Sequence, residues 1–433
     1  MTAIPTPSTS TSTSPPAPDA ATPPLSEQPA DARRNLRWVA LGLLPLILLA
    51  GVLALIVATD AGLGDRKTPP IETLNVQRIT LPAPNEIELQ VVNDGPDAIT
   101  IAQVMVDDAY WQFEMDGSGT LGRLDATTIR IPYPWVEGEV HAIAIVSSTG
   151  VVFPAEVPVA VESPRTNGST FARFALIGIY VGVIPVALGL LWYPFMRRLG
   201  GRSMRFILSL TVGLLVFLVV DMFGEAQEIA LAVPSAFNGT LLVPIVALLA
   251  FLLLTTISMR NPGKPRRGLD VAYQIALGIG LHNLGEGLAI GAAFALGEVA
   301  LGVFLVVGFT LHNVTEGVGI AAPILRERPA LSHFAALALL GGGPAIIGVW
   351  IGGFIYSPLW TTIFLALGIG AIVQVIVEVT RLIIRSSANA ARANAPDGKP
   401  HAAGQPVAWL NWTTLGGVTA GIAIMYATAL LVA

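Results

Sequence analysis

One seven-residue pattern occurs twice in the chain, as Leu281-His282-Asn283-Leu284-Gly285-Glu286-Gly287 and as Leu311-His312-Asn313-Val314-Thr315-Glu316-Gly317. On a helix, side chains three and four positions apart share a face, so each copy turns a histidine, an asparagine and a glutamate the same way. Each copy lies about midway along an apolar run, 270–296 and 299–325, and a short turn around Gly297 joins the runs as antiparallel neighbours. An ionised carboxylate in hydrocarbon is costly and persists where it has a partner or a water-filled path. Two such faces that meet offer two imidazoles, two carboxylates and two amide oxygens. That donor set suits zinc, iron, manganese or a similar divalent ion. The chain has no cysteine, which excludes disulfides and thiolate ligands and leaves nitrogen and oxygen donors for a metal. A plainer reading makes each triad a hydrogen-bonded patch that glues two helices together. It serves a single copy well and loses ground once the second copy stands on the adjacent helix.

Other polar groups fall inside apolar runs. Asp221, Glu225 and Glu228 follow i, i+4, i+7, and would form a cation-attracting approach from outside; for Glu228 an exposed helix end competes with that role. Gln374 and Glu378 stand four apart in the inner half of the run 358–384 and could line an exit, unless Glu378 pairs with Arg381 or Arg385. His333 reads as interfacial, His141 as a surface residue, and His401 falls in a polar loop.

The elements that must position these groups are mostly membrane spans. The chain is 53% hydrophobic and 12% charged, with a mean hydropathy of +0.68, whereas soluble domains carry about 25% charged residues. A net charge of −5 offers no basic patch for nucleic acid. Residues 1–37 form a Pro-, Ser-, Thr- and Ala-rich segment, expected to be a disordered cytoplasmic tail. The run 38–58 is too long for a cleaved signal and reads as a transmembrane signal anchor. Between 70 and 163, alternating stretches at Glu86–Val92, Thr100–Val106, Thr127–Ile131 and His141–Val146 are broken by turn residues, which predicts a small all-β, immunoglobulin-like sandwich. Eight further apolar runs follow in 171–433, at about 172–193, 206–232, 240–259, 270–296, 299–325, 333–356, 358–384 and 408–432. If the nine runs alternate across a bilayer, the arginines before the anchor and in the loops at Arg197–Arg205, Arg260–Arg267, Arg326–Arg328 and Arg381–Lys399 share one side. The turns near Ser235, Glu298 and Ser357 carry no basic residue. The positive-inside rule then makes the N-terminus cytoplasmic and both the sandwich and the C-terminus extracytoplasmic, in a multi-pass protein of the cell membrane.

Over about residues 171–433 the chain resembles the ZIP (Zrt-/Irt-like protein) metal transporter family, in the form of its bacterial GufA-like branch. The resemblance rests on His282-Asn283-x-x-Glu286-Gly287 and His312-Asn313-x-x-Glu316-Gly317 on what would be the fourth and fifth of eight helices. It implies that His282, Asn283, Glu286, His312, Asn313 and Glu316 are metal ligands. It also implies an entrance on the second helix, an exit lined partly by the seventh, and alternating access. The chain departs from the family where a glutamate often precedes a proline on the sixth helix. Here that position is Gly343-Pro344, which favours one metal over two. The loop Arg260–Asp270 has no histidine, so no regulatory metal sink is expected there. The anchor and the sandwich are not part of the family core.

The expected function is therefore transport, in the direction of uptake, of a divalent transition metal, zinc first and iron or manganese next. The metal is substrate, no cofactor is expected, and the bilayer is the standing partner. A homodimer stays open, as do ligand capture, partner docking and oligomer contacts for the sandwich. Two other classes compete: a membrane-embedded metal-dependent hydrolase, for which no His-Glu-x-x-His is present, and a sensor or scaffold that acts through the sandwich.

Overall fold

The computed structural model describes residues 32–59, 69–117, 119–258, 267–393 and 410–430. Most of the expected tail (1–31) and His401 lie outside the described residues. The chain divides into Met1–Pro69 and Pro70–Ala433. The first part holds one helix, α1 (Ala32–Ala58), which starts ahead of the expected Trp38. Alanine, arginine and leucine are strong helix formers and prolong the helix ahead of the apolar run. Its segment Leu41–Ala58 is long and apolar enough to cross a membrane, and Leu46, Ile47 and Leu55 are exposed, as lipid-facing side chains would be.

The second part begins with the sandwich. Its strands are β1 (Leu74–Ala83), β2 (Glu86–Asn93), β3 (Ile99–Val106), β4 (Ala109–Trp111), β5 (Glu114–Met115), β6 (Thr120–Leu121), β7 (Ala126–Ile131), β8 (His141–Ser147) and β9 (Val152–Val157). One sheet runs β1-β2-β7-β5 and the other β4-β3-β8-β9, with β6 on β3 and every pairing antiparallel. This is the Greek-key connectivity of an immunoglobulin-type sandwich. Alternation on β2 and β8 buries Ile87, Leu89, Val91, Ile143 and Ile145 in one core with Ile129, Val104 and Phe153. The four predicted strands are β2, β3, β7 and β8. β1 escaped because it does not alternate: six consecutive residues are half-buried, the sheet core covering one face and helix ends the other.

His141 is a correction: it is buried, not at the surface. Its Nδ1 lies 2.8 Å from Asp107 Oδ2, which also accepts from Tyr133 Oη at 2.8 Å. Asp107 Oδ1 accepts from Ala142 N at 2.9 Å. Burial pushes the Asp107 carboxyl up, but the bonds from His141, Tyr133 and Ala142 outweigh it and hold the group below the usual range. The bond to Asp107 pushes Tyr133 up to about 12.

The remaining helices form a bundle: α2 (Gly168–Met196), α3 (Gly201–Ala230), α4 (Gly239–Ser258), α5 (Gly268–Ala295), α6 (Val299–Ala321), α7 (Leu331–Ile355), α8 (Pro358–Ala393) and α9 (Trp412–Ala429). Among the described residues, eight helices of the chain, α1 to α8, are long and apolar enough to cross a membrane. The ninth expected span, 408–432, appears as α9, where threonines and glycines dilute the apolar run below that threshold. α9 nonetheless packs on α3, where a Cβ on Gly421 would lie 2.3 Å from Leu210 O. The helices pack mainly as two groups, α2 with α5, α6 and α7, and α3 with α4, α8 and α9, and α8 also packs along α5 across the boundary between them. The glycines after each motif make close contacts possible, though not between α5 and α6. A Cβ on Gly287 would lie 2.3 Å from Ala345 O of α7, and one on Gly317 would lie 2.2 Å from Val186 O of α2. Small residues let apolar helices approach to backbone contact, the main source of helix association in lipid.

The sandwich sits on the end of the bundle that carries the three turns without basic residues. Helix C-termini leave carbonyls without intrahelical donors, and the sandwich supplies some. Asn75 Nδ2 and Gln77 Nε2 donate to Ala232 O beyond α3, at 3.1 and 3.2 Å. Arg78 Nη1 donates to Phe354 O near the end of α7 at 2.6 Å, and Ser163 Oγ to Ala295 O of α5 at 3.4 Å. A register shift between Val76 and Arg78 marks a bulge in β1. The extra residue lets Gln77 and Arg78, neighbours in sequence, both reach the bundle.

Candidate metal site

The antiparallel pair α5 and α6 turns at Gly297, whose φ is +78° and where a Cβ would lie 2.8 Å from Val161 Cβ, so only glycine fits. The turn brings the two motif faces together. His282, Asn283, Glu286, His312, Asn313 and Glu316 are all buried. Glu286 is at the centre: its Oε1 lies 3.0 Å from His282 Nε2 and in contact with His312 Nε2, and its Oε2 accepts from Asn313 Nδ2 at 2.9 Å. Glu316 Oε1 stands 3.9 Å from His282 Nε2. One ligand atom each from His282, Glu286 and His312 fall within 4.8 Å of one another. Donors bound tetrahedrally at about 2.1 Å stand about 3.4 Å apart, so an ion would draw this set together by a small rotamer adjustment.

What the site lacks is donors. Among the described residues, both carboxylate oxygens of Glu316 and Oδ1 of Asn283 and of Asn313 are buried without a hydrogen-bond partner. A buried acceptor without a donor costs about 1–3 kcal/mol, more when charged. A cation bound beside them would satisfy such acceptors.

The orientation of the two amides has a physical origin. Asn283 Nδ2 donates to Gly341 O of α7 at 2.9 Å, and Asn313 Nδ2 donates to Val181 O of α2 at 3.0 Å. A carbonyl accepts only from the NH2 end, so these bonds fix which way each amide is turned, and Asn313 Nδ2 is shared between Val181 O and Glu286 Oε2. Both carbonyls lie at irregularities set by proline, which has no N–H to give and disturbs the turn before it. Pro185 stands four residues after Val181, and the chain makes a π-helical turn there, Ile179–Val183. Pro344 stands three residues after Gly341, and α7 is interrupted between Gly342 and Pro344. Sequence reading placed the asparagines on the site face but missed these two carbonyls; the prolines inside apolar runs were the available signal.

The other expected residues divide. On α3, Asp221 and Glu228 are exposed and Glu225 half-buried. Asp221 and Glu225 lie close enough to interact electrostatically with His282, and Tyr356, in the turn between α7 and α8, with Glu225. Tyr356 was not anticipated; an aromatic residue in a turn carries no spacing signal. Gln374 and Glu378 are buried on α8, in its half away from the sandwich, and neither joins the cluster among the described contacts. Arg381 Nη1 lies 3.3 Å from Glu378 Oε2, the pairing that competes with an exit role. Toward that same end the cluster is walled by Leu215, Leu218, Ile279 and Met425, which leave a void of about 10 Å³ beside Glu316. His333 is half-buried, its Nδ1 2.9 Å from Tyr273 Oη.

Comparison with known proteins found no family model that matches the chain and no match among curated proteins.

Proposed function

We propose that the bundle transports divalent transition-metal cations, zinc first and iron or manganese next, across the cell membrane by alternating access. One observation carries the reading: two His-Asn-x-x-Glu faces meet in a buried space where, among the described residues, Glu316 and both asparagine oxygens have no donor. Imidazole nitrogen biases the set toward transition metals and against magnesium and calcium. The positive-inside pattern orients the N-terminus to the cytoplasm and the sandwich outward. The acids of α3 then stand on the outer approach, and an apolar wall lies beside Glu316 toward the inner side. Uptake is the direction this orientation favours. The glycine at 343 offers no bridging carboxylate, which supports a single well-formed site. The resemblance to ZIP transporters points to the same function.

The test is metal flux into liposomes that contain the purified protein and no organic substrate. Metal-selective flux, lost in Glu286→Ala and in Glu316→Ala while both variants still insert, is the expected result. Undiminished flux in both variants would sink the assignment. Flux absent from the wild type, with hydrolysis of an added substrate in its place, would favour the enzyme reading.

A further inference from the structure

The sandwich touches both helix groups at once, and its two footprints differ in kind. On the α5–α7 side, Arg78 grips Phe354 O and Gly353 O in a part-buried contact, buried Ser163 reaches Ala295 O, and Val161 lies against Gly297 too closely for any side chain there. On the α3–α4 side, the contacts are exposed. Asp94 Oδ1 accepts from Ser235 N at 2.6 Å and from Ser235 Oγ at 2.9 Å, and Asn75 and Gln77 reach Ala232 O. An exposed hydrogen bond exchanges readily for water, whereas a buried one leaves its partners unsatisfied when broken. If the groups part at this end, the Asp94–Ser235 side is the one that yields.

We propose that the sandwich is a latch across the outer end of the two helix groups, fixed to α5, α6 and α7, and that its Asp94–Ser235 contact opens and recloses in each transport cycle. The inference rests on the transport reading above, since alternating access requires the groups to move relative to each other. It gives the sandwich a role other than metal capture: no metal-ligating cluster is found in it among the described residues.

The chain has no cysteine, so introduced pairs are its sole thiols. D94C/S235C and, separately, R78C/F354C would be bridged in full-length protein in liposomes with a short, reductant-cleavable bis-methanethiosulfonate linker. Linked D94C/S235C is expected to lose at least tenfold in zinc flux and recover it on reduction, with equilibrium zinc binding unchanged. Linked R78C/F354C is expected to keep its flux. Full flux with the 94–235 bridge closed overturns the latch, as does equal loss with the other bridge. If the reduced proteins bind zinc yet move none, the transport reading fails first. The latch then depends on whether zinc changes the rate at which D94C/S235C cross-links, and an unchanged rate overturns it too.

Discussion

Glu286 and Glu316 occupy equivalent places in the two copies of the motif, yet their surroundings differ. Glu286 meets both histidines and Asn313, whereas Glu316 has no donor at either oxygen among the described residues. Their substitutions should therefore differ. Glu286→Ala removes the group that joins the two helices, and its loss of zinc affinity should exceed the roughly 10–100-fold typical of an outer-shell partner. Glu316→Gln removes a buried carboxylate whose one ion-pair contact among the described residues is the 3.9 Å approach to His282, which is a cost in the metal-free protein. The metal-free Glu316→Gln variant should melt above wild type in detergent, and zinc should raise its melting temperature less, because linkage scales with affinity. A lower melting temperature without metal would mean that Glu316 is satisfied by other means. At this scale the sequence was informative: histidine, asparagine and glutamate at three- and four-residue spacing fix a shared face by helix geometry alone. The asymmetry between the glutamates was not legible, because it depends on side-chain rotamers across a helix interface.

Asn283 and Asn313 depend on elements outside the motif. The carbonyls that hold their amides lie beside Pro344 in α7 and Pro185 in α2. Pro185→Ala returns an N–H to Val181 O, which then has an intrahelical donor and a weaker hold on Asn313. Pro185→Ala and Pro344→Ala should each weaken zinc binding by about 10–100-fold, as outer-shell changes do, with helix content unchanged by circular dichroism. Pro358→Ala, at the first position of α8 where no helical carbonyl precedes it, should leave affinity intact. Equal affinity in all three would remove prolines from the account. In the sandwich, the same logic applies to Asp107, which the turn after β3 sets against His141 and Tyr133. Its carboxyl is held below the ordinary value near 3.8, so the stability it contributes is present above that pH and is lost as pH falls through the lower folded-state value. Amide protection factors in β3 and β8, taken relative to the intrinsic exchange rate at each pH, should therefore fall at acid pH in wild type. Asp107→Asn should exchange faster at neutral pH and respond less to acid. Alternation in β2, β3, β7 and β8 made the sandwich legible, while β1 and the buried His141 were not, because contacts with helix ends and turns leave no periodic trace.

For the whole molecule, the proposed orientation in the bilayer follows from which end the sandwich occupies. The sandwich and the turns at Ser235, Glu298 and Ser357 share one end of the bundle. Charge arithmetic on the sequence had already grouped those turns, because basic residues are retained on the cytoplasmic side and these turns carry none. Nine spans were expected and, among the described residues, eight helices meet the length and apolarity threshold, so the parity of the chain rests on α9. α9 packs along α3 through glycine contacts at Gly417 and Gly421. Single cysteines in this cysteine-free chain test the arrangement directly. Val140→Cys lies on the exposed surface of the sandwich, and Gly200→Cys in the exposed link between α2 and α3 at the opposite end. In intact cells with the outer face of the cell membrane accessible, a membrane-impermeant maleimide should label Val140→Cys at once and Gly200→Cys only after permeabilisation. The reverse pattern would invert the protein in the bilayer. It would turn the acids of α3 toward the cytoplasm and make export, rather than uptake, the direction that the same site serves.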